Sequence, residues 1–224
     1  MNKKKALIVG STGLVGKALL QILLDADEYE YEEVIALVRS KQQINHPKLR
    51  MVVTDFDKLQ TMKEYFKVDD VYCCLGTTIK KAKTQEAMLK VDQEYPLTVA
   101  KLASEKGAKQ FAIITAMGAD PNSTIFYSRM KGEVEKQLVT IPFRSIHIFR
   151  PSLLLGNRTE FRLGESVGAI FMKGLGFLLI GPFKKVRAIK DVTVATAMYK
   201  ALQIEQVGVN IYPSEKIEQI GSVK

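Results

Sequence analysis

Hydrophobic positions along the chain fall into two alternating rhythms. Short, near-continuous apolar runs occur at 6–10 (ALIVG), 33–39 (EVIALVR), 49–55 (LRMVVTD), 70–76 (DVYCCLG), 109–116 (KQFAIITA) and 144–151 (RSIHIFRP). Apolar residues on consecutive rather than alternate positions predict strands covered on both faces. Between them, 14–26 (LVGKALLQILLDA) and 86–107 (EAMLKVDQEYPLTVAKLASEKG) repeat apolar residues at helical spacing. Pro96 either kinks the second helix or marks a helix start, and Gly107 is placed as its C-terminal cap. A further helix is expected over 189–202, with Asp191 as its N-cap and not as a catalytic acid. Strand–helix alternation predicts an α/β protein whose doubly wound parallel sheet binds ligands at the carboxyl ends of its strands. The whole chain, 1–224, reads as one domain.

The first strand runs into GSTGLVG, where Gly10, Gly13 and Gly16 stand three residues apart before an amphipathic helix. Each glycine has a mechanical reason there: Gly10 for the tight turn, Gly13 for close approach of a pyrophosphate, Gly16 for helix-on-strand packing. The helix start, including Leu14 and Val15, offers unpaired N–H groups to phosphates, and Ser11 and Thr12 add hydroxyls. The loop therefore predicts a Rossmann-like dinucleotide site. After the second strand the chain reads Arg39, Ser40, Lys41 where an acidic residue would hold the adenosine ribose. A guanidinium beside a hydroxyl suits a 2′-phosphate, so NADP(H) is expected over NAD(H). Asp55 and Phe56 are expected to bound the adenine, one by a polar and one by an apolar contact. Leu75, Gly76 and Thr77 end the fourth strand beside the cofactor.

Composition narrows the setting. Hydrophobic residues make up 46% and charged ones 25%, as in an ordered globular protein. The formal charge of +9 suits anionic partners without choosing among them. The basic stretches at 78–85 and 183–190 carry no interleaved aromatic platform, so nucleic acid is not the expected partner. Lys80, Lys81 and Lys83 are placed to edge the mouth of the site. Cys73 and Cys74 are neighbours in a strand run, where a mutual disulfide would be strained. Reduced thiols, and with them a cytoplasmic setting, are expected. The apolar stretch 169–183 is broken by Lys173, Gly174, Gly176 and Pro182 and falls short of a membrane span. The two histidines, His46 and His147, belong to no metal-ligand cluster.

YSRMK, 127–131, puts a phenol and an amine one helical turn apart on one face. Spacing alone does not separate a catalytic pair from a solvated helix; the glycine loop supplies the cofactor such a pair needs. GxxGxxG, then DF, CCLGTT, VDQEYPLTVAKLA, GAD, YSRMK, KGEVE and FRPSLLLG occur in an order that resembles the atypical short-chain dehydrogenase/reductases. Within them the chain is most similar to the Tat-interacting-protein group of NADPH-binding oxidoreductase-like proteins, over roughly residues 5–200. The resemblance implies a small substrate-covering portion, here 157–190. It implies Tyr127 as general acid/base and Lys131 as its helper, binding the nicotinamide ribose and favouring the phenolate by its charge. It places Thr115 where the family usually has a serine that polarises the substrate carbonyl, with Ser123 as a second candidate. It also places Pro151, Ser152 and Leu153 along the nicotinamide. Two functions stay open at this point: a reductase of an apolar carbonyl substrate, with or without an anionic group, or an NADPH-binding regulatory protein with little turnover. A homo-oligomer is compatible with either.

Overall fold

The computed structural model describes residues 3–27, 30–155, 188–204 and 206–222. Nine strands are described: β1 (Lys4–Val9), β2 (Tyr31–Val38), β3 (Leu49–Val53), β4 (Asp70–Cys73), β5 (Gln110–Ile114), β6 (Ser145–Arg150), β7 (Leu154–Leu155), β8 (Ile189–Lys190) and β9 (Gly208–Pro213). The helices are α1 (Leu14–Asp25), α2 (Ile79–Ala82), α3 (Gln85–Leu89), α4 (Tyr95–Glu105), α5 (Phe126–Leu138), α6 (Asp191–Gln203) and α7 (Ser214–Ser222). Seven strands form one parallel sheet in the order β3-β2-β1-β4-β5-β6-β9. The chain starts at the centre, moves outward through β2 and β3, and returns to lay β4 on the other side of β1. That reversal makes the crevice at the carboxyl ends of β1 and β4 the topological switch point.

Successive strand residues feed opposite faces, and this explains the continuous apolar runs. Leu7 and Val9 join Val99, Ala103, Val134 and Leu138 under α4 and α5. Ala6 and Ile8 join Leu19, Leu23, Val194 and Met198 under α1 and α6. Among the described residues no helix is long and apolar enough to cross a membrane.

Two expectations are corrected, and the choice left open at Pro96 falls to a helix start: α3 passes through a π-helical turn, Lys90–Glu94, into α4, whose first turn holds Pro96. Proline tolerates that first turn because its missing N–H has no intrahelical partner there. Asp191 is the first helical residue of α6, with Lys190 at the N-cap; its carboxylate accepts from the Val192 N–H at 2.8 Å. The edge strand β9 and helix α7 are additional to the expected elements. Their patterning is weak, because an edge strand alternates exposed and buried residues over only a few positions. The expected covering segment, 157–190, lies outside the described residues up to 187; Ile189 and Lys190 form β8 and pair in parallel with β7.

Candidate functional site

The glycine loop is built as tightly as its spacing implies. Gly10 has φ +81°, and a Cβ on it would meet the Cys74 carbonyl at 2.5 Å. A Cβ on Gly16 would lie 2.1 Å from the Gly10 oxygen, so α1 packs on the turn only with glycine there. Gly13 stands at the N-cap of α1 and brings no side-chain cap, nor does the first turn hold an acidic residue. Its N–H groups and positive dipole end are thus left for an anion. Ser11 is buried beneath the loop and Thr12 is exposed on it.

At the end of β2, Arg39, Ser40 and Lys41 are all exposed. The end of β3 departs from expectation. Asp55 is exposed, but its carboxylate caps the turn that follows, accepting from the Asp57 N–H at 3.0 Å. Phe56 turns its ring inward, 7% exposed, with its centroid 5.4 Å from that of Tyr95. The ring packs in the core.

Between these elements lies a cleft of about 480 Å³ including the solvent in its mouth. The glycine loop lines one side through Gly13, Leu14 and Val15; Leu75, Gly76 and Thr77 follow from β4; Ile114 and Thr115 come from β5, and Tyr127 and Lys131 from α5. Tyr127 and Lys131 therefore meet the dinucleotide loop at one opening. The Lys131 ammonium sits 5.8 Å from the Tyr127 ring centroid. The position of α5 depends on Gly132, where a Cβ would come within 2.2 Å of the Asp120–Pro121 backbone. Only a glycine lets the loop after β5 lie against the helix at that point.

Asp92, absent from the expected site, holds Lys131. It sits in the π-helical turn, 1% exposed, and its Oδ1 accepts from Lys131 Nζ at 2.7 Å. Oδ2 accepts from the Thr77 N–H at 2.7 Å, so one carboxylate ties the β4 loop to α5. Burial works against the Lys131 ammonium, yet the Asp92 carboxylate, by its charge and its hydrogen bond, outweighs it and holds the lysine above its ordinary range. Its place on the apolar stripe of that run, three residues after Leu89 and seven before Val99, marks Asp92 in the sequence as inward-facing but not as the partner of Lys131.

Other expected positions have protein partners of their own. Thr115 reaches the cleft, but its hydroxyl donates to Glu135 Oε1 at 2.6 Å and is not aimed as a free donor. Of the stretch after β6, Pro151 is buried and Leu153 is 38% exposed. Ser152 pairs its hydroxyl with that of Ser214, at 2.9 Å, at the start of α7. Leu154 is the residue of this stretch that lines the cleft. Ser123 lies before α5, where its hydroxyl accepts from the Ile125 N–H at 3.1 Å.

Residues 10–139 match the NAD(P)H-binding family. The protein HTATIP2 of Rattus norvegicus is 35% identical over 179 residues, covering 78% of this chain and 73% of that one. The chain is an atypical short-chain dehydrogenase/reductase of the NAD(P)H-binding family. The mitochondrial protein FMP52 of Eremothecium gossypii is 34% identical over 169 residues, with 75% and 74% covered. Among solved structures, WbmH of Bordetella bronchiseptica in complex with NAD+ superposes with a TM-score of 0.69 at 16% identity, over 99% of this chain and 80% of that one. A dTDP-4-dehydrorhamnose reductase of Bacillus anthracis in complex with NADP gives 0.63 at 14% identity, over 100% and 83%. These structural likenesses show a shared fold. The cleft of this reductase-family chain fits a dinucleotide on its own geometry: the glycine cradle has no room for side chains, and an uncapped helix start faces it.

Proposed function

We propose that the chain is an NADP(H)-dependent oxidoreductase that interconverts a carbonyl compound and its alcohol, with Tyr127 as general acid/base. The observation that carries this reading is the shared cleft: the phosphate-binding loop and the Tyr127–Lys131 pair open onto the same space. The bound nicotinamide would supply or accept the hydride. Tyr127 gives its phenolic proton to the carbonyl oxygen as the alcohol forms, and takes it back in the reverse direction. Lys131 stabilises the resulting phenolate and reaches the ribose, while Asp92 keeps the ammonium in place against the cost of its burial. Gly10, Gly13, Gly16 and the N–H groups of Leu14 and Val15 hold the pyrophosphate. Arg39 and Ser40, exposed past β2, read the 2′-phosphate. The free thiols of Cys73 and Cys74 fit a reducing compartment; FMP52 relatives are named mitochondrial, and a reducing mitochondrial space satisfies the thiols as well as the cytoplasm does.

Fluorescence titration with NADPH and NADH, followed by a carbonyl substrate panel, tests the reading. Tyr127→Phe is expected to keep NADPH affinity and lower turnover by about 10²–10⁴-fold; undiminished turnover would remove Tyr127 from the mechanism. Arg39→Asp is expected to weaken NADPH at least about tenfold more than NADH. Parallel losses for both nucleotides would mean that Arg39 does not read the phosphate.

A further inference from the structure

One wall of the cleft has a hydrogen-bond polarity opposite to the one a reductase of simple ketones would use. Thr115, 4% exposed, lines the cleft and gives its hydroxyl proton to Glu135 Oε1 at 2.6 Å. Glu135, 6% exposed, is held from its other side by Arg150, whose Nε donates to both carboxylate oxygens at 3.0 and 3.2 Å and whose Nη2 also donates to Oε2. The carboxylate can only accept hydrogen bonds, and a donor aimed at a charged, guanidinium-paired acceptor is held strongly. The other acceptor within reach of the Thr115 hydroxyl is the Phe149 carbonyl at 3.4 Å, which is also part of the protein. A hydroxyl has one proton. With that proton engaged by Glu135, the Thr115 hydroxyl has only lone pairs left to offer, and turning it round would strip a buried carboxylate of a donor.

We infer that Thr115 meets the substrate as an acceptor and selects a hydroxyl or amide N–H carried alongside the carbonyl that Tyr127 protonates. The substrate class is then the hydroxy- or amido-carbonyl compounds, with Glu135 as the positioning residue that sets the polarity of Thr115. This rests on the oxidoreductase reading of the cleft. Glu135 follows Lys131 by four residues and Tyr127 by eight, so proton donor, ammonium and polarity-setting carboxylate share one face of α5.

The test uses the protein–NADP+ complex, in which neither probe can be reduced. The probes are 3,3,3-trifluoropropanamide and 4,4,4-trifluorobutan-2-one, which differ by an NH₂ in place of a methyl, each titrated by fluorine NMR. The amide-to-ketone preference is expected to fall about five- to tenfold from the unaltered protein to Thr115→Val and to be retained in Thr115→Ser. In Glu135→Gln the side-chain amide can donate to Thr115, freeing its proton for the cleft, and the preference is expected to move toward the ketone. The Thr115 pair carries the test if Glu135→Gln does not fold. An unchanged ratio in Thr115→Val, including binding of neither probe, overturns the inference. So does a Thr115→Val protein that loses NADP+ affinity with its probe ratio intact, since the acceptor would then serve the cofactor. If the unaltered protein binds no NADP(H), it is the oxidoreductase reading that fails.

Discussion

Both ends of the parallel sheet bury polar side chains, and the two sets end differently. At the amino end, Tyr31, Asp70 and Gln110 open β2, β4 and β5. The Tyr31 hydroxyl donates to Asp70 at 2.6 Å and shares a hydrogen bond with Tyr72 at 2.9 Å. Gln110 donates to the other Asp70 oxygen at 2.9 Å and meets His147 at 3.3 Å, and His147 meets the Tyr212 hydroxyl at 2.9 Å. This chain draws on five strands, and each member is paired with another protein group, though Asp70 and Gln110 also edge a small pocket. At the carboxyl end, Asp92, Lys131, Thr115 and Glu135 are as deeply placed, with Arg150 half-buried, but Lys131 and Thr115 both line a cleft. Buried polar groups cost stability unless they are paired. A closed chain spends its pairing on strand register; an open one keeps hydrogen-bonding capacity for a ligand.

The comparison breaks most visibly if one member of the open end is removed. Lys131→Met leaves the Asp92 carboxylate buried with the Thr77 N–H as its remaining named partner. The expected cost is about 3–5 kcal/mol, because an unpaired buried charge is worse than no charge at all. The double variant Lys131→Met/Asp92→Leu should recover most of that loss. Urea denaturation of the three proteins measures it. A single variant as stable as the parent would show that water reaches Asp92 and that this end is not buried in the sense used for the other.

What could be read from the sequence follows the same division. The strands, the glycine loop and the Tyr127–Lys131 spacing were legible because each answers a local constraint: a Cβ that would collide at Gly10 or Gly16, or a helix face repeating every four residues. Pairings across the fold were not. Ser152 meets Ser214 62 residues away, and Phe56 turns to Tyr95. The acceptor that takes the Thr115 proton stands 20 residues on. Asp92 reads as one more acidic residue in a run that also holds Glu94; only the π-helical turn and the approach of α5 make it a ligand for Lys131. His147 was legible as a strand residue among apolar neighbours and outside any metal-ligand cluster, though its partners were not.

A smaller effect is expected from pH at the closed end. Burial lowers the His147 pKa from its ordinary 6.5 to about 4. An unfolded chain therefore binds this proton before the folded one does. The contribution is fully present above pH 6.5 and is lost as pH falls toward about 4, an overall loss of about 3 kcal/mol. Burial raises Asp70, and its tendency to take a proton in the fold works in the opposite sense. Chemical denaturation across pH should show the decline in the parent and a flatter profile in His147→Gln; equal slopes would mean that the ring is already charged or solvated in the fold.

Tyr31→Phe is the gentlest probe of the comparison and separates the two ends directly. It removes the 2.6 Å donor to Asp70 and the acceptor used by Gln203 at 3.2 Å, while leaving the ring in the core. Gln110 still donates to Asp70, so the carboxylate is under-satisfied but not abandoned, and the expected loss at pH 7 is about 2 kcal/mol. Burial already raises Asp70, and the Tyr31 hydrogen bond is the largest influence opposing that rise. Without it Asp70 takes up a proton at higher pH. The variant should therefore lose less stability relative to the parent as pH falls than it does at pH 7. NADPH affinity, measured at pH 7, should not change, because no member of the closed chain reaches the cleft. A parallel drop in NADPH affinity would mean that strand register set at the amino end controls the geometry of the glycine loop, and that the two ends act as one network through β1 and β4.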